Sequence, residues 1–362
     1  MTGVDFEQLG KWPGVLQRLL AGKSLSADEA ELVMGEILSG AASPVQIAGF
    51  MVAMRAKGES VGEMTGLIRA MMAHAEPLSI DGDLVDVVGT GGDRLGSINV
   101  STIAACIVAG AGARVCKHGN RAASSSVGTA DVLEALGVVV DLGPSGVTRC
   151  VEEAGMGFCF APRFHPAMRH AGPVRKELGV PTVFNFLGPL ANPARTKFQL
   201  VGVSDPAMAP VMAGVLAANG TKRSMVVYAD DGLDELSVTS PSTVVEVIAV
   251  DGGDPDVKTW HIDPADLGFP RARMEDLRGG DALFNADVIH RVLDGERGPR
   301  RDIGVLNAAA ALVLSGRSSS MAEGVDSAVD SVDSGKARRV LDDLVRVSRG
   351  CVGSGAEGHR RS

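Results

Sequence analysis

Aromatic residues are scarce in this sequence of 362 residues, which contains one Tyr, two Trp and ten Phe. Single-stranded nucleic acids are bound by stacking bases on aromatic side chains along a basic groove, whereas the formal net charge here is −9. Long apolar runs are also lacking, since the longest, Ile103 to Ala113, is short and rich in Gly and Ala. We therefore expect neither a nucleic-acid partner nor a membrane-spanning segment.

Cysteine is present but without a pattern. The five cysteines are odd in number, scattered and without metal-site spacing, which predicts reduced, buried thiols. Met1 to Asp5 does not resemble a signal peptide, so we expect a cytoplasmic protein. The cysteines are Cys106, Cys116, Cys150, Cys159 and Cys351.

A glycine-rich turn is the first feature that points to chemistry. An apolar strand predicted at Val85 to Val88 leads into Gly89-Thr90-Gly91-Gly92-Asp93, and a helical run begins shortly afterwards. Glycines let backbone N–H groups approach a phosphate, and a helix N-terminus adds partial positive charge. Such turns also occur in α/β proteins for conformational reasons alone. Polar side chains at the start of the helical run are Ser97, Asn99, Ser101 and Thr102.

Acidic residues are absent from Arg94 through Ala130, although the same window holds four basic side chains. In an acidic protein, this segregation favours an anion-binding pocket, the alternative being a solvated loop whose acids lie elsewhere. The window includes a strand predicted at Ala113 to Cys116 and the loop that follows it from Lys117. In that loop, His118 by itself fits packing as well as catalysis. The basic residues are Arg94, Arg114, Lys117 and Arg121.

Carboxylates cluster in Asp230-Asp231-Gly232-Leu233-Asp234-Glu235, after an apolar strand predicted at Met225 to Tyr228. Magnesium prefers hard oxygen ligands that it shares with substrate phosphates and water. The alternative is a polar turn built on Asp-Gly. Because the chain also has the glycine-rich turn that suits a phosphate, the carboxylate cluster predicts a magnesium site.

A second acid-free stretch, from Ala154 to Lys176, mixes basic side chains with Phe and Met. This mixture suits an aromatic carboxylate, because a guanidinium grips a carboxylate through two parallel hydrogen bonds. On physical grounds any arginine in the stretch could serve. They are Arg163, Arg169 and Arg175.

Five motifs in this order resemble the anthranilate phosphoribosyltransferases, of the nucleoside phosphorylase-like class, from about Trp12 to about Val345. Ser97-Ile98 and Ala122-Ala123 depart from the usual pattern without removing the anion-binding groups. The motifs are Gly89 to Asp93, Asn99 to Thr102, Lys117 to Ser125, Val183 to Pro193 and Asp231 to Leu236.

The resemblance implies transfer of a phosphoribosyl group from phosphoribosyl pyrophosphate to the amine of anthranilate, in tryptophan biosynthesis, by a homodimer with two Mg²⁺ ions. It assigns Gly89, Asn120 and Arg175 to anthranilate, and Ser101, Asp234 and Glu235 to the metal. We assign no general acid or base. For phosphoribosyl pyrophosphate it implies Gly89, Gly92, Asp93, Ser97, Asn99, Val100, Ser101, Thr102, Lys117, His118, Gly119, Asn120, Arg121, Ala122, Ala123, Ser124, Ser125 and Thr129.

The periodicity predicts an α/β protein with a small N-terminal helical domain and a larger α/β domain around a largely parallel central sheet. Residues 1–78 form the helical domain, to which helices from about 165–185 can add, and residues 79–348 form the α/β domain. Strands are also predicted at Val138 to Asp141 and, antiparallel, at Val244 to Val250. Residues 349–362 are predicted to be a disordered tail.

Two further functions fit parts of the pattern. A pyrimidine nucleoside phosphorylase would share the fold and the phosphate chemistry, but the Asp231 to Leu236 segment and the acid-free aromatic stretch fit the transferase better. A dinucleotide-binding protein would need the last glycine of the Rossmann fingerprint and an acidic residue about twenty positions further on, and this chain has neither.

Overall fold

The computed structural model describes residues 5–122 and 127–353. Two of the N-terminal helices begin at a capping box, which Ser26 and Ser60 each form with the glutamate three residues on. The third helix begins after Ser43 and ends at Lys57, with Gly58 as its C-cap. These helices are α1 (Lys11–Leu20), α2 (Ala27–Leu38), α3 (Pro44–Lys57) and α4 (Val61–Ala73).

In the described part of the chain, seven strands form one sheet in the order β3-β2-β1-β4-β5-β6-β7. Strands β1 to β5 are parallel, and β6 and β7 add antiparallel at one edge, which confirms the predicted mixed sheet. The strands are β1 (Val85–Gly89), β2 (Val115–Gly119), β3 (Met156–Phe160), β4 (Phe198–Gly202), β5 (Arg223–Ala229), β6 (Ser242–Ile248) and β7 (Asp256–Ile262).

Helices cover both faces of the sheet, so the central strands are buried on both sides. In β1, Val87 packs into one core and Val88 into the other. The remaining helices are α5 (Val100–Gly110), α6 (Thr129–Ala135), α7 (Pro144–Ala154), α8 (Ala161–Phe164), α9 (Gly172–Leu178), α10 (Phe184–Leu190), α11 (Ala209–Ala218), α12 (Ala282–Leu293), α13 (Pro299–Leu314), α14 (Met321–Asp333) and α15 (Lys336–Gly353).

Residues between 165 and 185 pack with the N-terminal helices. Val174 of α9 and Phe184 of α10 lie in the same apolar core as Phe50 of α3 and Leu67 of α4. Side chains of α11 join this core as well, so the helical layer rests directly on one face of the sheet. Among the described residues, no helix is long and apolar enough to cross a membrane.

Two sequence predictions are wrong. Val138 to Asp141 is not a strand: Val138 and Val140 are buried, but the Val139 N–H donates to the Ser348 hydroxyl of α15 (3.1 Å) rather than to a neighbouring strand. Residues 349–353 are not disordered, because α15 continues to Gly353. There the Arg349 side chain donates to the Gly137 carbonyl (2.9 Å) and ties the last turns to the α/β domain. The rest of the predicted tail, 354–362, lies outside the described residues.

Cys106, Cys116, Cys150 and Cys159 are buried free thiols, as predicted. Cys351 is half-buried rather than buried.

Candidate active site

The glycine turn after β1 lies against the carboxylate segment that follows β5. The Gly91 N–H donates to Asp234 Oδ2 (2.6 Å), and a Cβ on Gly89 would overlap that same carboxylate. A Cβ on Gly202, at the end of β4, would overlap the Asp234 carbonyl. Glycine is therefore required at the ends of β1 and β4, because the acidic segment packs directly on their backbone. Gly91 and Gly92 both have positive φ, as the predicted turn needs.

Helix α5 begins beside this turn and points its N-terminus at the second carboxylate. Asn99 is the N-cap, and the Ser101 N–H stabilises the Glu235 carboxylate. The Thr102 hydroxyl is buried and has no hydrogen-bond partner among the described residues. Val100 and Thr102 are buried, whereas Ser97 and Asn99 are half-buried.

Lys117 lies within β2 rather than after it, because the strand extends beyond the predicted range and ends at Gly119. Its side chain is 1% exposed, and its amino group donates to the Val87 carbonyl and to Ser101 Oγ (3.1 Å). Burial lowers the pKa of Lys117, and the carboxylates of Asp86 and Glu235 oppose this shift. The Lys117 amino group thus lies between β1 and the start of α5, at the centre of the site.

His118, also in β2, is held as a neutral imidazole. Burial, and then His165 nearby, lowers the pKa of His118 to about 3. Its Nδ1 donates to the Gly188 carbonyl (3.0 Å), and Nε2 is buried with no hydrogen-bond partner in the described part of the chain. The ring centroids of His118 and His165 are 5.2 Å apart. The His118 imidazole therefore faces Gly188 and His165, on the opposite side of β2 from the Lys117 side chain, and carries no charge at neutral pH.

Three carboxyl groups are crowded at this edge of the sheet. Burial, and next the charge of Asp93, raises the pKa of Asp234 to about 7. Burial and the charge of Asp234 also raise the pKa of Glu235. The pKa of Asp93 is raised by burial too, and its carboxyl shares a hydrogen bond with Asp234. Carboxylates that repel one another in this way fit a site for a cation.

Within residues 5–122 and 127–353, no group of three or more His, Cys, Asp or Glu side chains is placed to hold a metal ion by itself. Asp234 and Glu235 can each offer carboxylate oxygens, and Ser101 a hydroxyl oxygen that already accepts from Lys117. This donor set is all oxygen and incomplete, which suits Mg²⁺ completed by substrate phosphates and water.

Asp131, which the sequence analysis missed, accepts hydrogen bonds from both ends of the loop after β2. Asp131 Oδ2 accepts from the Ala122 N–H (3.0 Å) and from the Gly128 N–H (2.9 Å). Ala123, Ser124 and Ser125 lie outside the described residues.

The Arg121 side chain is paired with carboxylates, at 3.2 Å from Asp131 Oδ1 and 2.8 Å from Glu134 Oε1. The stretch from Arg94 through Ala130 has no acidic residues of its own, but in the fold it is contacted by carboxylates from outside it. Asn120 is exposed, and Thr129 begins α6 beside Gly119.

Arg175 lies apart from this cluster, on α9. Its guanidinium carbon is 5.9 Å from the Phe184 ring centroid, burial lowers its pKa, and no carboxylate lies within ion-pair distance among the described residues. No hydrogen bond joins Arg175 to Asn120 or Gly89 in the described ranges. A half-buried guanidinium without an anion is an available carboxylate receptor.

Two other buried side chains support the site and were missed. Asp86 in β1 is fully buried and accepts from Asn192 Nδ2 (2.8 Å) and from the His118 N–H (3.3 Å). Asn307 of α13 holds Leu236, just after the carboxylates, through the Leu236 N–H (3.0 Å) and carbonyl (2.8 Å). A polar residue inside an apolar run was the available signal for both, but its partner could not be identified from sequence.

The fold and the site define a class, the two-domain glycosyl transferases. Residues 13–75 match the model of the glycosyl transferase family, helical bundle domain, and residues 81–338 match that of the glycosyl transferase family, a/b domain. The chain belongs to the anthranilate phosphoribosyltransferase family, as its relatives show.

Two of these relatives are curated proteins named anthranilate phosphoribosyltransferase. One from Salinispora arenicola is 54% identical over 346 residues, covering 93% of this chain and 96% of the relative. One from Nocardioides sp. is 53% identical over 339 residues, covering 92% and 98%.

Solved structures of anthranilate phosphoribosyltransferases have the same fold as this chain. The anthranilate phosphoribosyltransferase of Thermus thermophilus superposes with a TM-score of 0.86 at 42% identity, covering 92% of this chain and 99% of that one. The Saccharomyces cerevisiae enzyme in complex with phosphoribosyl pyrophosphate and Mg superposes with a TM-score of 0.85 at 27% identity, covering 94% and 98%.

Proposed function

We propose that this enzyme transfers the phosphoribosyl group of phosphoribosyl pyrophosphate to the amine of anthranilate, giving N-(5-phosphoribosyl)anthranilate and pyrophosphate in tryptophan biosynthesis. The observation that carries the proposal is the meeting, at one edge of the sheet, of the glycine turn, the buried Lys117 and the carboxylates of Asp234 and Glu235. Family membership names the two substrates.

The phosphates of phosphoribosyl pyrophosphate lie along the glycine turn that follows β1. Backbone N–H groups of the turn and the amino group of Lys117 stabilise negative charge as the pyrophosphate leaves. Because these donors are held by β1, β2 and α5, they need little reorganisation during the reaction. The residues assigned to phosphoribosyl pyrophosphate are Gly89, Gly92, Asp93, Ser97, Asn99, Val100, Ser101, Thr102, Lys117, His118, Gly119, Asn120, Arg121, Ala122, Ala123, Ser124, Ser125 and Thr129.

Two Mg²⁺ ions are assigned to the site: Ser101 would hold one together with the pyrophosphate, and Asp234 and Glu235 would anchor the other. Bound Mg²⁺ would neutralise charge on the leaving pyrophosphate. The crowding of the carboxyl groups and the raised pKa of Asp234 are what the ion would relieve.

We place the anthranilate carboxylate on Arg175 and its amine near Asn120, and we also assign Gly89 to this substrate. The aryl amine keeps its lone pair unprotonated at neutral pH, so attack on the ribose carbon needs positioning more than a strong base. His118 has its pKa lowered to about 3, so it is not protonated at neutral pH. We assign no general acid or base.

The proposal is tested by following the fluorescence of anthranilate. Adding phosphoribosyl pyrophosphate and Mg²⁺ to the enzyme should remove the anthranilate signal, and omitting either should prevent the loss. In a parallel reaction, thymidine and inorganic phosphate should remain unchanged. Phosphorolysis of thymidine without loss of anthranilate would identify a nucleoside phosphorylase instead.

A homodimer joined through the helical domain is also part of the proposal. Large apolar side chains are exposed on neighbouring helices: Leu20 of α1 is 76% exposed, and Val45 and Val52 of α3 are 80% and 48% exposed. Leu16 of α1 lies beside Gly49 of α3, so the two helices form one continuous outer face. Exposed apolar faces of this kind are typical of subunit interfaces. The free thiols fit a reducing compartment, and we place the enzyme in the cytoplasm.

Light scattering at micromolar concentration should therefore give about twice the monomer mass. Val45→Glu should shift the protein towards the monomer, because it places a charge in the apolar interface. Val257→Glu is the matched control, since Val257 is a 53% exposed valine on β7, away from α1 and α3. A wild-type enzyme that is monomeric and fully active would contradict this assignment.

A further inference from the structure

The segment from Met274 to Asn285 lies directly on the backbone that leads to Asn99. The Gly279 N–H donates to the Gly96 carbonyl (2.8 Å), and a Cβ on Gly279 would lie 2.8 Å from the Ser97 carbonyl oxygen. The two stretches therefore meet backbone to backbone, although they lie far apart in sequence.

From this segment, the side chain of Asn285 reaches Asn99. Asn285 is 2% exposed, and its Oδ1 accepts from the Gly280 N–H (2.9 Å). Because a backbone N–H can only donate, the atom of Asn285 that faces Gly280 must be the oxygen. The amide nitrogen then faces the other way and donates to Asn99 Oδ1 (2.9 Å).

The orientation of the Asn99 amide follows from this chain of hydrogen bonds. Its oxygen accepts from Asn285, so its Nδ2 group faces away and donates one hydrogen bond to the Val127 carbonyl (3.4 Å). Asn99 is the N-cap of α5, yet its side chain makes no cap hydrogen bond. The helix therefore does not orient this amide. The shorter hydrogen bond from Asn285 is the stronger of the two contacts that do, the other being the longer one to the Val127 carbonyl.

We infer that Asn285 is a positioning residue that fixes the Asn99 amide with its donor nitrogen, rather than its acceptor oxygen, available to phosphoribosyl pyrophosphate. The inference rests on the proposed function, in which Asn99 holds a phosphate. A phosphate oxygen only accepts hydrogen bonds, so the reversed amide would repel it. Asn285 thus determines whether Asn99 attracts or repels the phosphate, although Asn285 itself does not touch the substrate.

Asn285→Asp tests this with little change of shape. The carboxylate still accepts from Gly280, but it repels Asn99 Oδ1 and attracts Asn99 Nδ2, so the Asn99 amide turns round. The KM for phosphoribosyl pyrophosphate should rise about tenfold or more, equivalent to about 1.4 kcal/mol. The KM for anthranilate at saturating phosphoribosyl pyrophosphate should change by less than about twofold.

Asn285→Ala is the uncharged companion variant. It removes the Asn285 donor, so only the longer hydrogen bond to the Val127 carbonyl still favours the native orientation of the Asn99 amide. The KM for phosphoribosyl pyrophosphate should then rise by no more than about twofold, since half or more of the enzyme keeps the competent orientation. If Asn285→Asp fails to fold, as thermal unfolding would show, the alanine variant takes its place in the cycle below.

The decisive measurement is a double-mutant cycle with Asn99→Ala. If Asn285 acts through Asn99, the Asn285 substitution adds no further rise in KM in the Asn99→Ala background. An equal effect in both backgrounds, or an equal effect on both substrates, would overturn the inference, because it would show a general charge or structural role.

Failure of the proposed function has different signatures. Wild-type enzyme that leaves anthranilate unconsumed would reject the transfer reaction itself. Asn99→Ala with an unchanged KM for phosphoribosyl pyrophosphate would reject the phosphate contact, and with it the role of Asn285.

Discussion

Replacing Asp234 and Glu235 together with alanine is expected to lower kcat by about a thousandfold or more, because a metal ion at such a site supplies several kcal/mol of charge stabilisation. Both carboxyl groups are buried beside the glycine turn, and the charge of Asp234 raises the pKa of Glu235. In the proposed function, a bound cation is the physical reason for keeping them there. Steady-state rates across a series of Mg²⁺ concentrations measure the effect.

Asp230→Ala is the matched control, because Asp230 is an exposed carboxylate in the same turn. It should retain the wild-type rate. A double variant with near-wild-type rates at limiting Mg²⁺ would show that the metal is held elsewhere.

A shape-preserving pair, Asp234→Asn with Glu235→Gln, separates lost metal binding from lost folding. The pKa of Asp234 in the folded protein is about 7, above its ordinary value of 3.8. Its ionised form is therefore destabilising in the metal-free fold, and stability linked to this group is lost as the pH rises from about 4 to about 7. At pH 8 without Mg²⁺, the variant should unfold at no lower temperature than wild type, and it should lose the stabilisation by Mg²⁺ with phosphoribosyl pyrophosphate.

Arg175→Ala is expected to weaken anthranilate and spare phosphoribosyl pyrophosphate. The guanidinium is half-buried, packs near Phe184 and has no carboxylate partner in the described part of the chain. Removing one partner of a partly buried charge pair costs about 2 kcal/mol or more, so kcat/KM for anthranilate should fall about thirtyfold or more. Kinetics with each substrate varied in turn measure the split.

Lys176→Ala is the control for this prediction, since Lys176 is an exposed cation one position away on the same helix. It should change neither KM by more than about twofold. Arg175→Lys should rescue only in part, because an ammonium cannot make the bidentate contact. A defect that falls equally on both substrates, or only on phosphoribosyl pyrophosphate, would place the aromatic acid elsewhere.

The features that could be predicted from sequence are those that local chemistry determines. Ser26 and Ser60 carry their capping partners three residues away, and β1 is recognisable as an apolar run that ends in glycines. The rule that ligands bind at the carboxyl ends of parallel strands then brings the Gly89 turn and the Asp234 segment to one edge. The structure shows that contact directly, between Gly91 and Asp234.

The features that could not be predicted depend on distant partners. Val138 to Asp141 has the composition of a strand, but its backbone is bound by Ser348, far along the chain. Asn285 and Asn307 are ordinary residues of apolar helices until the fold places them against Asn99 and Leu236. The absence of acidic residues from Arg94 through Ala130 likewise did not predict that Arg121 pairs with Asp131 and Glu134.

The most direct test of the central claim is a product balance by phosphorus NMR with anthranilate, phosphoribosyl pyrophosphate and Mg²⁺. For each anthranilate consumed, the account predicts one pyrophosphate and one new phosphate monoester signal. That signal comes from the 5-phosphate of the ribose that is now attached to the anthranilate amine. Pyrophosphate released without loss of anthranilate, or no reaction with all three components present, would contradict it.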